Sequence, residues 1–357
     1  MRRALLASSA VLAIACNAPA QASIIVNPFA TGQTAAPIGF VYAGNKFVGS
    51  YYFSSDLYQV GTGGGTVTPF ATSIPGVSSA FGENPLGSSL GLGGFPNRDI
   101  YVGNYNTIVH VANDGLSSNV FVTGLSGNVK GITFDAVGSF GNNMIVTTDT
   151  GNVYKVDHFG TPTLVGSVPG NPVTEGADIA PSTFGSYAGQ VVVASESANA
   201  IFAISNTGVV TQIPLVDGLG NPTSIPIAEQ LSFVPLNLGI SGNPIEGYYA
   251  TNYPYNVYKA DASQFVGMLG DAIVSAEFGS SSPIWDVHFD GTNFVATQIG
   301  NLPNQAEDGL FVTADILNPG CSATNTCGST VPEPGSLALL GLGLAGLGFN
   351  RRKKNLQ

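Results

Sequence analysis

The sequence predicts an all-β protein: a β-propeller of six four-stranded blades, with an N-terminal signal peptide and a C-terminal transmembrane helix. Three observations lead there. Charged residues are only 9% of the chain, against 47 Gly, 13 Tyr and 20 Phe, so strand and turn formers outweigh helix formers. Short apolar runs are punctuated by Asp-x-x-Gly and Asn-x-x-Gly, the chemistry of hairpin turns. A unit of about four such runs also recurs along the chain, which is the mark of a propeller blade.

The repeat is weak but can be followed from end to end. Two early copies are FVYAGNKFVGSYYFSSDLYQVGTGGGTVTPF and RDIYVGNYNTIVHVANDGLSSNVFVTGL. Further copies start at Lys130, Glu175 and Glu229, and the last near Ile284. Aligning the third strand of each puts Tyr58, Val109, Tyr154, Phe202, Tyr258 and Phe311 in register, at spacings of 51, 45, 48, 56 and 53 residues. A small sheet with two apolar faces cannot bury both alone, and radial stacking covers both while leaving only short edges. A β-sandwich or β-solenoid is the alternative architecture.

The N-terminus places Arg2 and Arg3 before an apolar run from Ala4 to Ala15, followed by small residues. That run is too short to span a bilayer as a helix and reads as a signal peptide over residues 1–22. Cleavage after Ala22 is favoured, and Ala18-Pro19-Ala20 also fits. Lipidation at Cys16 is an alternative, although the usual Leu three residues earlier is missing. The propeller body is expected over 23–320. Residues 321–330 form a linker in which Cys321 and Cys327 can close a small disulfide loop in an oxidising compartment.

The C-terminus has three parts. Val331-Pro332-Glu333-Pro334 is a stiff tetrapeptide, because each proline fixes φ and lacks a donor. Residues 335–349 carry no charge and are rich in Leu, Gly and Ala, enough for about 22 Å of helix. Arg351, Arg352, Lys353 and Lys354 form a basic stop that the positive-inside rule keeps cytoplasmic. This segment, 331–354, resembles the PEP-CTERM sorting signal of Gram-negative bacteria. The resemblance implies recognition and cleavage near Pro334 by a membrane exosortase. It also implies passage through the inner membrane to the periplasm, outer surface or matrix, and a setting of exopolysaccharide and biofilm. A C-terminal anchor that is never processed is the simpler alternative.

Charge narrows the partners. The whole chain has a formal charge of −11; outside the leader and tail only Lys46, Arg98, Lys130, Lys155 and Lys259 oppose 21 acidic residues, so the body carries about −16. Such a body is repelled by phosphate backbones, which argues against nucleic acid. Extracellular polysaccharide is the candidate partner.

The repeat pattern resembles the NHL and gluconolactonase-related six-bladed propellers. That resemblance places residues at the start of each innermost strand around the channel mouth: Lys130, Glu175, Glu229 and Asp286. Asn104, Asp149, Glu196, Asn252 and Gln298 are expected in the turns between second and third strands. Glu175, Glu229 and Asp286 are the candidate metal ligands, with Ca²⁺ the ion suited to oxygen donors; in lactonase-like relatives such an ion polarises a carbonyl. The ordinary alternative is that these are polar caps on hydrated strands. The three histidines show no paired metal-ligand spacing, there is no Gly-x-Ser-x-Gly elbow, and Gly61 to Gly65 lacks the Lys-Ser/Thr of a phosphate loop. Trp285 and the tyrosines can form a sugar-stacking surface or pack between blades.

Two functions follow. One is a non-catalytic surface or matrix protein that binds polysaccharide, protein or Ca²⁺. The other is a secreted lactonase-like or other metal-dependent hydrolase. Three or four oxygens converging at one mouth would favour the enzyme, and an apolar channel would count against it.

Overall fold

The computed structural model describes residues 23–314, and within them it is a six-bladed propeller. Blade 1 is Pro37–Tyr42, Lys46–Tyr51, Leu57–Gly61 and Thr68–Ala71, from channel to rim. Blade 2 is Leu86–Leu90, Asn97–Asn104, Thr107–Val111 and Ser118–Val122. Blade 3 is Val129–Phe134, Met144–Thr148, Asn152–Val156 and Pro162–Ser167. Blade 4 is Ala177–Ile179, Val191–Ser195, Ala200–Ile204 and Val210–Gln212.

The last two blades exchange strands. Blade 5 begins with Ala228–Phe233, but the chain then crosses to blade 6 and lays down Gly247–Tyr253 and Val257–Asp261. It returns to complete blade 5 with Ala272–Ala276, Ser282–Phe289 and Phe294–Leu302. The innermost strand of blade 6, Gln305–Val312, comes last. The N-terminal Asn27–Thr31 supplies its outer strand, pairing antiparallel with Val257–Asp261. Both ends of the described chain therefore meet in one sheet and close the ring.

This exchange corrects part of the repeat. Tyr58, Val109, Tyr154, Phe202 and Tyr258 do lie on third strands, but Phe311 lies on the innermost strand of blade 6. The third strand of blade 5 carries Trp285 and Asp286 instead. The sequence unit beginning at Glu229 thus contributes to two sheets, and adjacency along the chain misled the alignment there.

Six apolar clusters hold the blades together, one in each gap between neighbours. The period of two explains how one strand serves two gaps. In Val191–Ser195 every residue is buried. Val191 and Val193 pack toward blade 3, while Val192 and Ala194 pack toward blade 5. The gap between blades 6 and 1 is filled by rings: Phe29, Phe40, Phe47 and Tyr249 meet there, with Phe40 and Phe47 stacked at 5.1 Å.

The Asp-x-x-Gly turns form as expected. Asp157 Oδ1 accepts from the backbone N–H of Phe159 and Thr161, at 3.0 and 2.9 Å, and Gly160 takes φ +83°. Asp217 and Gly220 repeat the arrangement. Short Asp side chains thus serve hairpins, and the longer Glu side chains are left for elsewhere.

The signal peptide, Cys321 and Cys327, the sorting motif and the basic tail lie outside the described residues. Among the described residues, no helix is long and apolar enough to cross a membrane.

Candidate cation site at the channel mouth

In an antiparallel blade the innermost strand starts at the same end where the second strand stops. The starts of all innermost strands and all the turns between second and third strands therefore share one face. The residues they contribute are mostly glutamates. Glu83 precedes the innermost strand of blade 2, and Glu175 that of blade 4. Lys130, Glu229 and Glu307 lie at the starts of those of blades 3, 5 and 6. Glu196 and Glu277 come from the turns of blades 4 and 5. Of the eight glutamates in the chain, six are gathered here.

Three of them converge. Carboxylate oxygens of Glu175, Glu196 and Glu229 all lie within 4.8 Å of one another. Oxygens that bind one Ca²⁺ at about 2.4 Å are at most about 4.8 Å apart, so the spacing suits that ion. Glu229 is 8% exposed and its carboxyl accepts no hydrogen bond from any described residue.

Among the described residues, the one cation at the mouth is Lys130. Its Nζ contacts Glu83 and lies 3.1 Å from Glu175. Burial disfavours the Lys130 charge, but Glu175 and Glu83 more than reverse this and hold it protonated. One ammonium cannot neutralise six carboxyls. Burial pushes Glu175 up to about 8, with Lys130 opposing and Glu83 and Glu196 adding repulsion. Burial and the negative field of Glu277, Glu83 and Glu175 push Glu307 up to about 9. Glu229 is raised too, by burial first and then by Glu175. Gln305 Nε2 donates to both Glu277 and Glu307, bridging the blade 5 and blade 6 carboxyls.

Below the mouth Gln230 reaches across the channel wall. A Cβ on Gly176 would come 1.6 Å from Gln230 Oε1. Gly176 leaves room for Gln230, whose Nε2 donates to the Gly309 carbonyl at 2.6 Å in the next blade. At the opposite end Arg98 is buried, with its guanidinium 5.2 Å from the centre of the Tyr42 ring.

The expected residues divide cleanly. Lys130, Glu175 and Glu229 are at the mouth, and Glu196 joins them from its turn. Asp286 is not there: it lies on the third strand of blade 5, buried near Asp271 and His288, because the strand exchange shifts the register. Gln298 lies in the outer strand Phe294–Leu302, and the turn it was expected to occupy holds Glu277. Glu83, Glu277 and Glu307 were missed. Trp285 packs partly buried against the cluster between blades 4 and 5, not on a loop face. The histidines stay apart, with His110 on Asp99 at 2.6 Å, His158 against Phe159, and His288 on Asp271 at 3.1 Å.

Residues 330–353 match the PEP-CTERM protein-sorting motif. The motif implies export, exosortase processing and sorting to the cell surface. No curated protein matches the chain significantly. Among solved structures, the PQQ-bound form of aldose sugar dehydrogenase from Streptomyces coelicolor is similar at 14% identity and a TM-score of 0.51, covering 87% of this chain and 97% of that one. Virginiamycin B lyase from Staphylococcus aureus is similar at 12% identity and a TM-score of 0.46, covering 77% and 87%. At such identities the first likeness supports the propeller fold and nothing finer.

Proposed function

We propose that this exosortase-sorted surface protein is a non-catalytic binding module of the extracellular layer, and that its channel mouth holds Ca²⁺ on Glu175, Glu196 and Glu229. The observation that carries the reading is the convergence of the Glu175, Glu196 and Glu229 carboxyls, whose oxygens fall within the span of one ion. The ion would supply the positive charge that Lys130 alone cannot. An acidic body released at the surface fits a setting of exopolysaccharide and biofilm, where divalent cations are shared with the matrix.

Titration calorimetry with Ca²⁺ tests the site. A dissociation constant of ~0.1–1 mM is expected, as for extracellular oxygen-ligand sites. At ten to a hundred times that constant, Ca²⁺ should add about 1.4–2.7 kcal/mol of stability. Glu229→Gln keeps the volume and removes the charge; it should weaken Ca²⁺ at least tenfold while stabilising the ion-free protein. Unchanged affinity in Glu229→Gln would rule this site out.

The convergence of three carboxylates also meets the requirement set above for a metal-dependent hydrolase, which is the second reading. Ca²⁺-dependent lactone hydrolysis that disappears in Glu229→Gln would establish it over the binding module.

Sorting has its own test. Intact-mass analysis from the native host should give a chain from Ser23 to near Pro334, and the tail should persist when the exosortase is deleted. A tail retained in both strains would leave a simple membrane-anchored propeller.

A further inference from the structure

Each blade turns from its second to its third strand through one residue with positive φ. In blades 3 to 6 that residue is Gly151, Asn199, Ser281 and Asn256, at φ +72°, +50°, +59° and +83°. Gly and Asn are the residues that accept this conformation at least cost. In blades 1 and 2 the positive-φ residue instead sits early in the turn, just after the second strand: Phe53 at φ +51° and Tyr105 at φ +49°. A bulky side chain there is an outlier worth about 1–3 kcal/mol of strain. The strain is not repaid by burial, since the rings are 54% and 41% exposed.

These two rings belong to a continuous arc. Phe53 lies 4.3 Å from Tyr52, and Tyr52 meets Tyr253 of blade 6 edge-on at 5.8 Å. Phe81 lies 4.7 Å from Tyr105. The backbone ties the two halves, because the Phe53 N–H donates to the Gly82 carbonyl at 3.1 Å. Tyr255, 63% exposed, stands in the turn of blade 6. The next residue after Gly82 is Glu83, which pairs with Lys130. The mouth is therefore aromatic across blades 6, 1 and 2 and acidic across blades 4, 5 and 6.

We infer that the aromatic arc and the acidic arc together bind a glycan carrying protonated amino groups. Sugar rings present C–H faces that stack on exposed Phe and Tyr, and their ammonium groups would meet the carboxyls. Charge selects this occupant: six carboxyls face one ammonium at the mouth, and the body carries about −16. A polyuronate or other polyanion would be repelled. Glu229, 8% exposed and with a carboxyl that accepts no hydrogen bond from any described residue, lines the same channel. The inference goes beyond the Ca²⁺ reading and does not need the ion.

Binding of a fully deacetylated glucosamine hexamer, measured by calorimetry on the full propeller in EDTA, tests it without reference to Ca²⁺. The expected result is saturable binding, at least tenfold tighter than for the N-acetylated hexamer, with none for oligogalacturonate. The double variant Phe53→Asn/Tyr105→Asn places at these two positive-φ positions a residue that accepts the conformation at less cost. It should lose at least tenfold in affinity while its Tm is unchanged or higher. Tyr255→Ser, at an exposed ring, should lower affinity several-fold and reads out binding even if the double variant unfolds. No binding of the deacetylated hexamer, equal binding of the acetylated one, preference for oligogalacturonate, or full affinity in Tyr255→Ser and the double variant would each overturn the inference.

Discussion

Replacing Lys130 by Met is expected to destabilise the ion-free propeller by about 3 kcal/mol at pH 8 and to make it dependent on Ca²⁺. The Met side chain keeps most of the lysine stem, so packing changes little. What is lost is the only cation facing Glu83 and Glu175, of which Glu175 is almost wholly buried. Removing one partner of a buried pair is worse than never having had the pair, because the remaining charge stays desolvated. The loss should shrink toward pH 5.5. Glu175, with a pKa near 8, then keeps its proton and needs no counterion. Ca²⁺ should restore most of the stability at pH 8, and its affinity should rise because Lys130 no longer competes for Glu175. Denaturation by urea at both pH values, in EDTA and in 10 mM Ca²⁺, reads all of this. A loss that is the same at each pH and is not recovered by Ca²⁺ would mean that Lys130 acts through packing alone.

The blade count was legible because the pattern that announces a blade is local. Three hairpins per sheet, several of them closed by Asp-x-x-Gly turns, repeat at a period that chain length divides into six. Glu175 and Glu229 were legible for the same reason: each sits at the start of an innermost strand, and that position follows from the hairpin order. What failed was non-local. The chain leaves blade 5 after Phe233 and returns at Ala272, and nothing in the local pattern of 247–261 says which sheet those strands will join. Asp286 was placed at the mouth by that error, and Glu277 and Glu307 were overlooked by it. A signal was present in composition. The hairpins use Asp, whose short side chain reaches its own turn, so a Glu in this lysine-poor chain has a different purpose. Sorting the acids by type would have drawn attention to all six glutamates. The aromatic arc could not be read from sequence, because Phe53 and Tyr105 are unusual only once φ is known.

Asp286, displaced from the mouth, becomes the site of the second large effect. It is 5% exposed, and its Oδ1 has no hydrogen-bond partner. Burial pushes its pKa up to about 7, with Asp271 adding to the rise and His288 opposing it. An acid whose pKa is raised on folding binds its proton more tightly in the native state. Its contribution is therefore present below the ordinary carboxyl range and is lost as pH rises from about 4 to the folded value near 7. Asp178, near 6, and Asp308, near 7, are raised by burial and slope the same way. The wild-type Tm in EDTA should accordingly fall between pH 5 and pH 8. Asp286→Asn supplies the neutral form at every pH. Three units at about 1.4 kcal/mol each set an upper value of ~4 kcal/mol, so a gain of about 2–4 kcal/mol is expected at pH 8 and less than half of that gain at pH 5. In a domain of this size that is a Tm rise of about 5 °C or more at the higher pH. An equal shift at both pH values would show that the carboxyl is ionised in the native protein across the range, and that its neighbours accommodate the charge.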